Sequence, residues 1–106
     1  MSEAIGALRA RIMLQAPARV ADEIGGAAIL WTERGEAWAR IEALRVDERA
    51  AFDGVSASAS LRVVINRRAD VRAGWRAVWG ERVLRIAGVV DDGAPRITLV
   101  CIEERP

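Results

Sequence analysis

The sequence predicts a mainly β fold, a small barrel or sandwich of five to six antiparallel strands with one short helix. Three observations carry that expectation. Apolar and polar residues alternate with period two through most of the chain, which is how a strand with one buried and one wet face reads. Glycine, proline and aspartate recur at short intervals between those runs, as frequent turns require. One short stretch alone has helix chemistry. A chain of 106 residues suffices for one domain, expected over residues 1–106 with 1–6 as a loose arm.

The elements follow in order. Over residues 8–16, Leu8, Ala10, Ile12 and Leu14 alternate with Arg9, Arg11, Met13 and Gln15, a strand that Pro17 is expected to limit. Residues 18–26 read as a charged loop ending in Gly25-Gly26, which permits a reversal. An extended stretch covers 27–44, interrupted by a bulge or bend at Arg34-Gly35. Residues 46–54 have helix chemistry: Asp47 as cap, Glu48 and Arg49 in the first turn, Gly54 as stop. Small polar residues make 55–60 a flexible link. A strand over 61–66 places Leu61, Val63 and Ile65 on one face, and 67–74 is an arginine-rich loop. The last third is a hairpin, 75–79 and 82–91 about a tight Gly80-Glu81 turn, then turn residues 92–95 and a closing strand over 96–103.

Composition narrows the chemistry. The hydrophobic fraction of 52% is rich in alanine, so four tryptophans must carry much of the burial. Histidine is absent, which removes the commonest general base at neutral pH and the commonest metal ligand. Cys101 stands alone, in an alternating apolar run, and is expected as a buried hydrophobe. Serines at 56, 58 and 60 have neither histidine nor lysine to activate them. The acidic pairs Asp22-Glu23, Asp47-Glu48, Asp91-Asp92 and Glu103-Glu104 fall in turns, at a helix start or at the chain end, where carboxylates are solvated caps. Gly25-Gly26 lacks the strand–loop–helix setting of a phosphate cradle. No enzyme activity and no cofactor are expected.

All sixteen basic residues are arginine, against fifteen acids, for a net charge of +1. So slight a field does not pull the chain onto nucleic acid or a membrane. No apolar run approaches a membrane span, and residues 1–6 lack the basic start of a signal peptide, so the chain is expected in the cytoplasm. Arg67, Arg68, Arg72 and Arg76 cluster about one loop. They are read either as a solvated, salt-bridged surface or as a contact for a partner's carboxylates or DNA phosphates, which forked guanidinium donors suit.

Taken in order, these segments resemble a known family. Leu8-Arg9-Ala10-Arg11-Ile12-Met13-Leu14-Gln15, Gly25-Gly26 with Trp31, Ala37-Trp38-Ala39-Arg40-Ile41, Leu44 with Glu48, Arg62-Val63-Val64-Ile65 with Arg67, Val71-Arg72-Ala73-Gly74-Trp75-Arg76, Leu84-Arg85-Ile86 and Ile97-Thr98-Leu99-Val100-Cys101 are similar to the phage head–tail joining (head-closure, or stopper) proteins of long-tailed phages and gene transfer agents. The resemblance implies a small barrel that assembles with itself, in six or twelve copies, into a ring between portal–adaptor proteins and the tail terminator or tail tube. Such a ring retains packaged double-stranded DNA, touching it transiently, and supports tail attachment. It implies assembly in the cytoplasm and a final place at the head–tail interface of the particle. It further implies that the segment over 46–60 faces the channel, which makes Asp47, Arg49 and Phe52 candidates for channel or partner contact beside Arg67, Arg68, Arg72 and Arg76. Two other readings stand: a tail terminator or other connector ring protein, and a stand-alone nucleic-acid-binding barrel that uses the arginine cluster.

Overall fold

The computed structural model describes residues 7–21, 25–51 and 54–105. Six strands follow one another: β1 (Ala10–Ala21), β2 (Ala27–Ala51), β3 (Gly54–Asn66), β4 (Arg76–Trp79), β5 (Arg82–Val90) and β6 (Arg96–Arg105). All pair antiparallel and close into a barrel in the order β1-β2-β3-β6-β5-β4. Closure removes the free edges that an open sheet of this size would leave exposed.

The period-two pattern decides what fills the interior. Ile12 and Leu14 from β1, Leu61, Val63 and Ile65 from β3, Leu84 and Ile86 from β5, and Ile97, Leu99 and Cys101 from β6 all point inward and are buried. Ala39 and Ala77 add small, fully buried side chains to it. Val71 and Trp75, from the loop between β3 and β4, complete this core at one mouth. A barrel of this width has room for side chains and nothing more.

β2 organises the whole. Twenty-five residues of ideal strand would reach about 80 Å, yet the longest extent of the molecule is 55 Å. Two bulges bend it. Between Met13↔Glu36 and Gln15↔Glu33 the β2 strand carries one extra residue, at the expected Arg34-Gly35, where Gly35 adopts φ +104°. Between Ala43↔Leu61 and Arg45↔Ser60 the extra residue is Leu44. A bulge raises local twist and re-aims side chains, and Leu44 is left 49% exposed on the outer surface.

Three local expectations are corrected. There is no helix among the described residues: β2 runs through 46–51 and β3 starts at Gly54, paired from Arg45↔Ser60 to Ala51↔Gly54. Two turns of helix are too few to stand without tertiary packing, whereas the β2–β3 ladder is already nucleated by the barrel. The same ladder makes 55–60 strand rather than flexible link. Pro17 does not stop β1, which continues to Ala21. On that side β4 pairs only with Met13, Leu14 and Gln15, so Pro17 lies on an edge where a missing N–H breaks no ladder.

Antiparallel order fixes two ends. At one lie the β1–β2 connection, the β3–β4 loop and the β5–β6 turn. At the other lie the far end of the β2–β3 hairpin, the β4–β5 turn and the last residues of β6.

Candidate functional site

The two candidate regions sit at these opposite ends. Asp47 and Arg49 are on the β2–β3 hairpin, in register with Ser58 and Ser56. Phe52 falls outside the described residues. Arg67, Arg68 and Arg72 lie on the β3–β4 loop and Arg76 opens β4. The structure therefore separates the six described candidates into two groups rather than joining them.

The loop arginines turn out to be braces. Arg67 reaches across to the β5–β6 turn: its guanidinium forks onto the Asp91 carboxylate, its Nε donates to the Ala94 carbonyl at 3.0 Å, and its backbone N–H donates to Pro95 O at 2.9 Å. Asp91 in turn accepts from the Gly93 N–H. The Arg67 guanidinium, with that N–H, holds the Asp91 carboxyl below its ordinary range. Arg68 reaches the other way. Its Nη2 donates to the Arg34 carbonyl at the β2 bulge at 2.7 Å, while Nε and Nη2 hold Asp70 at 3.0 and 2.8 Å. The hydrogen bonds from Arg68 pull the Asp70 carboxyl down as well. Consecutive arginines thus tie the loop over the barrel mouth to β2 on one side and to the β5–β6 turn on the other. Arg76 donates through Nε to Gln15 at 2.6 Å and stacks 4.1 Å from the Trp31 ring. Arg72 is exposed, and no side-chain partner for it is found among the described residues.

Each tryptophan has an arginine over its face: Arg11 on Trp38, Arg34 on Trp75 and Arg82 on Trp79 at 5.1, 5.4 and 4.5 Å, besides Arg76 on Trp31. Trp75 alone of the four is buried and Trp38 is half-exposed, so the tryptophans carry less of the burial than composition led us to expect. Arg82 also holds Glu103 with two hydrogen bonds of 2.8 Å. Glu103 is 5% exposed, so this carboxylate, read from sequence as a solvated chain-end acid, is instead enclosed and paired. The alternation of β6 was the signal that could have found it: Ile97, Leu99 and Cys101 point inward, and 103 is next.

Among the described residues no three of His, Cys, Asp or Glu converge in a way that could hold a metal ion. Burial pushes the Cys101 thiol up to about 12, which leaves it protonated and inert. What the arrangement offers is rigid shape: a closed barrel, an end stapled by arginines and a long hairpin at the other end.

The chain superposes on a protein of the virion of a native gene transfer agent particle with a TM-score of 0.79 and 27% identity, covering 93% of this chain and 96% of that one. It also shares its fold with protein SF1141 from Shigella flexneri 2a, at a TM-score of 0.69 and 24% identity over 95% of this chain and 96% of that one. No curated protein matches it significantly. Residues 4–105 match the family described as phage head completion protein, and the chain belongs to that family.

Proposed function

We propose that the chain is a structural joint of a phage-like particle, a head-closure ring between the portal–adaptor proteins and the tail that retains packaged DNA and gives the tail its seat. The observation that carries this reading is the family match over residues 4–105, supported by the likeness to a gene transfer agent virion protein. In this reading the whole chain acts as one barrel unit, is made in the cytoplasm and ends in the particle. It has no catalytic role.

The physical features suit the task. A ring subunit beside passing DNA gains nothing from strong phosphate affinity, and a net charge of +1 supplies little. The β2–β3 hairpin, with Asp47 and Arg49, is the element with the reach to enter a channel, and Arg72 is the loop arginine left to meet a neighbour. A stand-alone nucleic-acid-binding barrel would use Arg67, Arg68, Arg72 and Arg76, of which Arg67 and Arg68 are already forked onto Asp91 and Asp70 and Arg76 donates through Nε to Gln15. Nothing in the geometry favours a tail terminator over a head-closure ring.

Particles assembled without the chain test the proposal. Heads should package DNA, lose it and fail to take tails, and adding the chain back to heads with their portal–adaptor complex should restore both. DNA-retaining, tailed particles formed in its absence would overturn the reading.

A further inference from the structure

Closure protects the barrel but not the two-stranded ribbon that runs on past it. β1 and β2 pair with each other out to Ala21↔Ala27, while β4 leaves β1 at Gln15 and β3 joins β2 only from Ala39. The ribbon therefore has two outer edges, and they are unlike. The β1 edge carries Pro17, which offers no N–H to an incoming strand, and the charged Arg19. Both are devices by which natural sheets keep an edge from pairing. The β2 edge carries neither. Arg68 takes the Arg34 carbonyl at the bulge, and over 27–33 the backbone bonds to β1 alone among the described residues.

The composition of this edge invites a strand. Residues 27–32 hold no charge, no proline and no glycine. Ile29 and Leu30 are 60% and 57% exposed, and because successive side chains take opposite faces, each face of the ribbon shows one of them. An uncharged, exposed edge of this kind is a template for another strand.

We propose that the β2 edge over 27–33 pairs antiparallel with the same edge of a second copy, across a two-fold axis. Three observations choose this occupant. With no charge over 27–32, two identical edges meet without the like-charge repulsion that a charged edge raises against itself. A two-fold axis normal to the sheet sets residues of the same face opposite each other. Centred on Ile29, it places Ile29 against its own copy and Leu30 against Ala28. Centred on Leu30, it places Leu30 against its own copy and Ile29 against Trp31. Finally, Pro17 guards the other edge, so each copy offers one open edge and the contact closes at two copies instead of growing into a filament. A two-fold pair does not generate a head-to-tail ring. The inference therefore concerns the free chain and stands apart from the head-closure reading.

Sedimentation of the full chain over a concentration series tests it. A dimer that dissociates on dilution is expected. Leu30→Lys should raise its dissociation constant at least about tenfold, because the edge then carries a charge against its copy. Val90→Lys, at an equally exposed position on β5, should leave the constant unchanged, and melting temperatures check that both variants fold. Backbone pairing is read separately: amide exchange within 27–33 should slow as the chain is concentrated. Ile29→Cys and Leu30→Cys, made singly with Cys101 left in its buried place, report the register. One of them should form a disulfide with its own copy at least about tenfold faster than Val90→Cys does, since pairing raises the effective thiol concentration. A chain that stays monomeric up to about 1 mM, a dimer indifferent to Leu30→Lys, or a dimer whose 27–33 amides exchange as in the monomer would overturn the proposal. So would an edge protected only when the chain docks on a portal–adaptor complex, which would assign it to a different protein.

Discussion

Glu103 is held at 5% exposure by a fork of two 2.8 Å hydrogen bonds from Arg82, and that pair shows how the chain uses arginine. A carboxylate taken out of water needs its lone pairs filled, and a planar guanidinium fills two at once where an ammonium fills one. Arg82→Ala leaves the acid enclosed without its forked guanidinium partner, and removes the cation stacked on Trp79. The expected loss is about 2 kcal/mol, held to that size by the water that reaches the Arg82 side. It is read as a lower urea midpoint, with Arg82→Lys recovering only part. Adding Glu103→Gln to Arg82→Ala should restore some stability, since a neutral amide is cheaper to bury, and a double substitution less stable than Arg82→Ala would refute the account. Cys101 gives a second check at this scale. With burial pushing its thiol up to about 12, it should resist a thiol reagent at pH 8 and react only as urea unfolds the barrel. Alternation along β6 made Cys101 legible as a core residue. Glu103 obeys the same alternation, but its partner lies 21 residues away, and distant pairing is what a local reading cannot supply.

At the scale of elements, the strands were legible wherever one face is apolar: β1 through Ile12 and Leu14, β3 through Leu61, Val63 and Ile65, and the β4–β5 hairpin through its Gly80-Glu81 turn. So was the Arg34-Gly35 bulge, because glycine tolerates the positive φ that the position requires. The far part of the β2–β3 hairpin was not. Asp47, Glu48 and Gly54 are as good a cap, first turn and stop as a helix could ask for, and no period-two core pattern argues against them. What decides in favour of strand is continuation of a ladder already formed at Ala43↔Leu61, a tertiary cause. This separation of hairpin from barrel has a consequence. Replacing residues 47–58 by Asn-Gly, so that Val46 and Ala59 flank a two-residue turn, should keep the barrel, with a melting temperature within about 5 °C of the parent. The same change should abolish DNA retention in particles. A chain that no longer folds would show the hairpin to be part of the core, and retention by particles carrying the shortened chain would remove it from the channel.

At the scale of the whole molecule the two ends are built differently, and acid should tell them apart. The end that carries the β3–β4 loop is tied by Arg67 to Asp91 and by Arg68 to Asp70, and both carboxyls are held below their ordinary range by those arginines. A carboxyl whose folded value is lowered binds its proton more readily in the unfolded chain. Its contribution is therefore complete above the ordinary value, near pH 4, and is lost as pH falls further through the folded value. Between neutrality and about pH 5 the staples should hold. Below about pH 4 amide hydrogen exchange should quicken in the 67–75 loop and the 91–95 turn, at Arg67, Gly93 and Ala94 first, while amides of β3 and β6 stay protected, because the barrel interior is aliphatic and carries no carboxyl there but Glu103 among the described residues. Replacing both Arg67 and Arg68 by alanine should give the fast exchange already at pH 7 and remove its acid dependence. The same steep acid response in that variant would mean that the two arginines are not what pulls the carboxyls down, and that the loop is closed over the barrel mouth by Val71 and Trp75 alone.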